Sequence, residues 1–290
     1  MARIENIAQL CRKIELADEM TDRVLEFEEL EDGWERKELL EKMLSPETWE
    51  EGRLELKKQL GSDPDGSRIL ACNLENALKT WNRLDEAGIP DDILTETMKA
   101  YSRFVEEYKV SYGSYGFDRD FWTMRQSSGY LFRIGELEYE MTEIPEEAYR
   151  LIPGDKPAPA KGCRVISLHI PSGSDISFQT LDKSIRRATV FFETFFPDYK
   201  DVPYICDTWL LYPKLQEMLP AYSKIILFQK LFNIYAVKDD TWDYKEWVFK
   251  DRDIDVKDAP EDTSLQRTMK SYVLDGGTMG VGIGRLIMSF

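Results

Sequence analysis

The chain has 290 residues, 42% of them hydrophobic and 12% aromatic, enough to fold around real cores as one large domain or two of ordinary size. With 54 acidic against 38 basic side chains the net charge is −16, which sets the surface against nucleic-acid backbones and anionic membranes. No stretch is long and apolar enough to span a bilayer, the charged opening MARIENIAQLCRKIELADEM has no signal-peptide core, and four scattered cysteines with one histidine form no zinc or disulfide pattern, so a cytoplasmic setting without a metal is expected.

Residues 1–110 carry helical spacing almost throughout, and the pattern predicts about five helices. Ile4, Ile7, Leu10 and Cys11 mark the first. Ser45, Pro46 and Glu47 signal a helix start, although Thr48 stands where a full capping box wants Glu or Gln. Ser67–Ala87 places Leu70, Leu74, Ala77, Leu78 and Trp81 on one face and stops near Gly88, and Asp91–Tyr108 follows. At Tyr112–Phe117 (YGSYGF) the helical period ends.

Beyond it strands are expected at 130–141 (YLFRIGELEYEM) and 164–170 (RVISLHI), joined by a proline-rich surface link at 152–162. A helix over 181–196 ends at Pro197. Then come a strand at 204–212, helices near 213–219 and 224–232, strands at 232–238 and 244–250, a helix at 263–274, and a last strand in the glycine-rich tail 280–290. Alternating strands and helices imply an α/β (α+β) layer structure behind a helical bundle, with domains expected at 1–118 and 119–290. The tail segment GGTMGVGIG has no room before residue 290 for the helix a nucleotide loop needs, so its glycines read as turn residues.

The central block carries Phe121–Gln126 (FWTMRQ), Leu131–Tyr139 (LFRIGELEY), His169–Ser172 (HIPS), Cys206–Leu211 (CDTWLL), the Phe228–Gln229 pair, Thr263–Gln266 (TSLQ) and Gly276–Gly277. In these it resembles a bacterial family with an N-terminal helical N-acyltransferase domain and a GNAT-like C-terminal domain, over most of 115–285 and more weakly before that. The resemblance implies a mixed sheet flanked by helices and acyl transfer from acetyl-CoA or another acyl-CoA to the amine of a small-molecule acceptor, by a monomer or homodimer. It also implies that the co-substrate lies between two splayed parallel strands, 164–170 and 204–212, with its pyrophosphate at the start of helix 181–196.

On that pattern Ile170, Ser172, Gly173 and Ser174 are the expected phosphate loop, and Arg186 with neighbouring Arg187 are candidates to pair with phosphate, the plain alternative being surface charge pairing. The family's Gly-x-Gly or Gly-x-Ala signature is replaced by Pro171–Ser177 (PSGSDIS), which brings Asp175 to the same place. The expected base is Glu136 or Glu138, placed with Glu140 on one face of strand 130–141; the plain alternative is a solvated acidic stripe. His169, at a strand's C-terminal end where α/β sites gather, is a base or substrate-binding candidate, or a histidine bonded to backbone. Cys206 is a candidate nucleophile if His169 lies beside it, and otherwise a buried thiol. Two further readings stay open: a non-catalytic GNAT-like binding module, and a cysteine-dependent acyl carrier or hydrolase.

Overall fold

The computed structural model describes residues 3–30, 36–144, 150–152 and 158–287. Residues 153–157 of the expected proline-rich link, the last three residues of the expected tail strand and the first two of the charged opening lie outside them. The chain divides into two compact units, Met1–Arg133 and Ile134–Phe290.

The first unit is helical: α1 (Ile7–Lys13), α2 (Asp18–Leu30), α3 (Lys37–Lys42), α4 (Trp49–Leu60), α5 (Ser67–Glu86), α6 (Asp91–Met98), α7 (Ala100–Tyr112) and α8 (Asp120–Ser128). Ser45–Thr48 forms a turn leading directly into α4, its Ser45 carbonyl accepting from the Thr48 and Trp49 amides, and Thr48 is the N-cap. The expected helix 91–108 is two helices broken at Lys99. α5 forms the centre, with Leu70, Leu74, Ala77 and Trp81 buried as their spacing requires. α8 packs on α5, with the Thr80 hydroxyl bonded to the Ser127 carbonyl. That contact lies within the first compact unit, which runs to Arg133.

The remaining elements are β1 (Leu131–Ile134), β2 (Leu137–Glu143), β3 (Arg150–Leu151), β4 (Arg164–His169), α9 (Phe178–Phe195), β5 (Tyr204–Thr208), α10 (Leu215–Met218), α11 (Lys224–Gln229), β6 (Phe232–Asp239), α12 (Ser264–Leu274) and β7 (Gly280–Leu286). Among the described residues they form a mixed sheet of order β1-β2-β4-β5-β7-β6-β3. β4 and β5 pair in parallel through the α9 crossover; the β2–β4, β5–β7, β6–β7 and β3–β6 pairings are antiparallel. Long-range parallel pairing through a helix is the βαβ arrangement that alternating elements predict.

Expectations change in the second unit too, where the expected strand 204–212 ends at Thr208 and gives way to a 3-10 turn over Trp209–Leu211. Segment 130–141 is not one strand: Gly135, at φ +68, and Glu136 form the turn of a β1–β2 hairpin. Segment 244–250 is a π-helical turn over Lys245–Phe249, with Val248 and Phe249 buried in a core made with Tyr212, Leu215, Val237 and Met269. A short apolar run fixes neither period by itself.

One sheet face is set by α9. Leu181, Ile185, Ala188, Phe191 and Phe192 recur at helical spacing and are buried. The Tyr139 hydroxyl lies 2.8 Å from Ser184 Oγ, and the Tyr139 ring packs edge-on against Phe192 and Tyr204. Ser184 Oγ also bonds the Ile134 carbonyl, which fastens the end of β1 to α9.

Candidate active site

Register decides which side chains meet. In β2–β4, Glu138 stands opposite His169 and Glu140 opposite Ser167, while Tyr139 stands opposite Leu168. Directly opposed residues share a face. Tyr139 points to α9, so Glu138, Glu140, Ser167 and His169 occupy the other face. The parallel pairing Ser167–Ile205 continues that polar face to Asp207 and, through β7, to Arg285.

Glu138 and Glu140 are buried, at 2% and 7% exposure. A carboxylate rarely stays in such a place without a partner. Glu140 has one: its Oε2 lies 2.8 Å from His169 Nε2. With the Nε2 proton donated to Glu140, the imidazole is oriented and its lone pair resides on Nδ1. The imidazolium formed by taking up a second proton would be held by the same carboxylate. This orienter–base geometry is the logic of a general base.

Glu136 does something else. It sits in the hairpin turn, its carbonyl accepts from Ser174 Oγ at 2.9 Å, and its Oε2 accepts from the Asp175 amide at 3.2 Å. It anchors the 170–177 loop and lies off the Glu138–Glu140 face. Gly135 permits this: a Cβ there would meet Ser184 at 3.2 Å in a left-handed backbone.

The loop opens with a turn in which the Ser174 amide bonds the Pro171 carbonyl and Gly173, at φ +81, takes the third position, as a type II turn requires. Ser172 and Gly173 are exposed at its tip, Ile170 is half-buried at its base, and Ser174 is turned to Glu136. Asp175 accepts from the Ser177 amide and from the hydroxyls of Ser177 and Thr180, and Lys224 pairs with it at 3.0 Å. The Ser177 hydroxyl, then Lys224 and Thr180, hold its carboxyl well below the usual range. The anion that the sequence set beside the expected phosphate site is thus engaged by four donors, from Ser177, Thr180 in the first turn of α9, and Lys224. Arg186 is exposed in the third turn of α9, where its Nε contacts both Asp182 oxygens at 3.0 Å, away from the loop. Arg187 is exposed on the same helix.

Cys206 lies on the α9 face with Tyr204, opposite to His169, so the two do not form a nucleophile–base pair. It is fully buried, its Sγ donates to the Leu168 carbonyl at 3.3 Å, and burial pushes the thiol far above its ordinary value. Its position marks another feature. The β4–β5 register stops at Ser167–Ile205 although both strands run on, and the thiol fills the place of the next rung.

The residue that sequence reasoning passed over is Glu140, whose role depends on the hairpin register. The two-residue spacing of Glu138 and Glu140 was the available signal. Among the described residues no group of His, Cys, Asp and Glu converges as a metal site, and no helix is long and apolar enough to cross a membrane.

Comparison with known proteins bears on this geometry. The model of the GNAT-like C-terminal domain family matches residues 131–286, and that of the N-acyltransferase N-terminal domain matches residues 5–129. No curated protein matches the chain. Among solved structures, an acyltransferase in complex with decanoyl-CoA and teicoplanin is 20% identical with a TM-score of 0.73, covering 99% of this chain and 88% of that one. An acyltransferase mutant in complex with octanoyl-CoA is 19% identical with a TM-score of 0.73, covering 100% and 90%. At that identity the likeness is one of fold.

Proposed function

The chain belongs to the GNAT-like C-terminal domain family, with an N-acyltransferase N-terminal domain before it, and on that premise we propose that it transfers an acyl group from acyl-CoA to the amine of a small-molecule acceptor. The observation that carries the reading is the Glu140–His169 pair at the C-terminal end of β4, beside the point where the β4–β5 ladder stops.

The residues fit the co-substrate. Strands that separate leave backbone groups for the amides of the pantetheine arm, and the first-turn N–H groups of α9 have no intrahelical partners to offer before a pyrophosphate arrives. Ser172 and Gly173 are exposed in the turn that precedes α9. His169 takes a proton from the acceptor ammonium or from the amine as it attacks, with Glu140 holding the imidazolium. The nitrogen bonds to the thioester carbonyl carbon, the C–S bond breaks, and the thiolate leaves with a proton to become free CoA. Glu138 stands opposite His169 on the same face of the sheet.

The absent glycine signature and the presence of Asp175 favour the second reading, a GNAT-like module that binds a small molecule without turnover. A thiol-release assay separates the two: purified protein with acetyl-, octanoyl- or decanoyl-CoA and a panel of amines. Amine-dependent release of free CoA is expected. Absence of release with every pair, in protein that binds acyl-CoA, would establish the binding module instead.

A further inference from the structure

β4 and β5 are each held on their outer sides to the end of the strand. β4 stays paired with β2 as far as Glu138–His169, and β5 with β7 as far as Thr208–Gly282. The turn after β5 fastens it further: the Thr208 hydroxyl accepts from the Leu210 amide, and Leu211 lies so close to β7 that a Cβ at Gly282 would collide with the Leu211 carbonyl. Only the facing sides lose register, after Ser167–Ile205. The interruption is therefore confined to the space between two strands that are otherwise fully laddered.

The phase of the ladder identifies the group at the interruption. The Ile166 amide donates to the Pro203 carbonyl. Hydrogen bonds in a parallel pair recur at every second residue and slant between the strands, so this phase turns the Leu168 carbonyl toward β5 and makes the Asp207 amide its expected donor. The carbonyl takes the Cys206 thiol, with Sγ at 3.3 Å, at the place where that rung is due. Leu168 and Cys206 are both buried, so the carbonyl depends on a donor from the protein.

We propose that Cys206 is a positioning residue for the acyl donor: by donating to the Leu168 carbonyl, its thiol keeps the next β4–β5 rung from forming and holds open the gap that receives the pantetheine arm. The proposal rests on the N-acyltransferase reading. Without the thiol, the buried carbonyl takes the nearest donor across the gap, the Asp207 amide, because leaving it unpaired is costly. The strands then close by one rung. An arm that enters only the open form binds in proportion to the fraction of molecules still open.

The test uses the full chain and three variants. C206S keeps a donor, C206V keeps apolar volume without one, and C206A keeps neither. Calorimetry with decanoyl-CoA should give wild-type affinity for C206S and a loss of about three- to tenfold for C206V and C206A. Adenosine bisphosphate, the nucleotide end of CoA without the arm, should bind the wild type and all variants alike. In turnover, the KM for decanoyl-CoA should rise in C206V and C206A while kcat at saturation is kept. Loss in C206S and C206A with C206V normal would mark the thiol as packing alone and overturn the proposal, as would equal decanoyl-CoA affinity throughout. Amide exchange without any ligand provides a second readout: segments 168–170 and 206–208 should exchange more slowly in C206V and C206A than in the wild type as the extra rung forms, and unchanged exchange would overturn it. Failure of the transferase reading looks different: the wild type binds no CoA compound, while the slower exchange in C206V and C206A persists.

Discussion

The imidazole of His169 was open to inspection in the sequence as the only histidine, ending a strand that the apolar run 164–170 makes plain. Its orienting carboxylate was not. Glu136, Glu138 and Glu140 look equivalent on a single strand, and only the turn at Gly135–Glu136 removes Glu136 from the face and leaves Glu140 in reach of Nε2. His169→Ala is expected to lower kcat by about 10²- to 10⁴-fold while acyl-CoA still binds. Glu140→Gln keeps a hydrogen bond but loses the charge that steadies the imidazolium, and should cost about tenfold or more, as measured by steady-state thiol release. At Cys206 the prediction is chemical inertness. In the native protein its thiol should react with a disulfide reagent far more slowly than a free thiol at neutral pH, and reach full reactivity only in denaturant.

At the level of elements, the hairpin turn and the 170–177 loop behave as one structure, since Glu136 bonds Ser174 and Asp175. Gly135→Ala places a Cβ in a left-handed backbone against Ser184, and should destabilise the second unit by about 1–3 kcal/mol in denaturant unfolding. Helices 67–87 and 181–196 were legible because long amphipathic periods are hard to mistake, and the capping box Thr263–Gln266 marks the start of α12. The π-helical turn at 245–249 was not, because its apolar residues are few and follow no decisive period. A further test concerns Tyr212, whose hydroxyl donates to Asp239 at 2.8 Å between β6 and the 209–211 turn. Burial, with Asp239 beside it, pushes this phenol up to about 12. The unfolded phenol ionises near pH 10, so the folded state holds the proton more tightly. Its contribution to stability is whole below about pH 10 and is lost as pH rises toward 12. Thermal melts of Tyr212→Phe should accordingly fall less steeply across that window than those of wild type.

Across the whole molecule, the order strand, loop, helix, parallel strand over 164–208 is what the sequence made readable, and the structure realises it as β4, α9 and β5. The division between units was less readable, because residues 120–128 are helical and pack on α5, yet they adjoin the strands in sequence and carry aromatic residues that fit either side. The surroundings of the 170–177 loop were not legible in the sequence, for a physical reason. Asp175 looks like a bar to an anion until its partners Ser177, Thr180 and Lys224 are seen around it. The central claim is that this loop and the gap between β4 and β5 receive acyl-CoA. Its most direct test is the melting temperature of the wild type during titration with decanoyl-CoA and, separately, with free CoA. A ligand bound to the folded state alone adds about 2.7 kcal/mol at a hundredfold excess over its Kd, so a saturable rise of several degrees is predicted, reduced in Gly173→Val, which disturbs the turn at Ser172–Gly173. An unchanged melting temperature with both ligands up to millimolar concentration would contradict it.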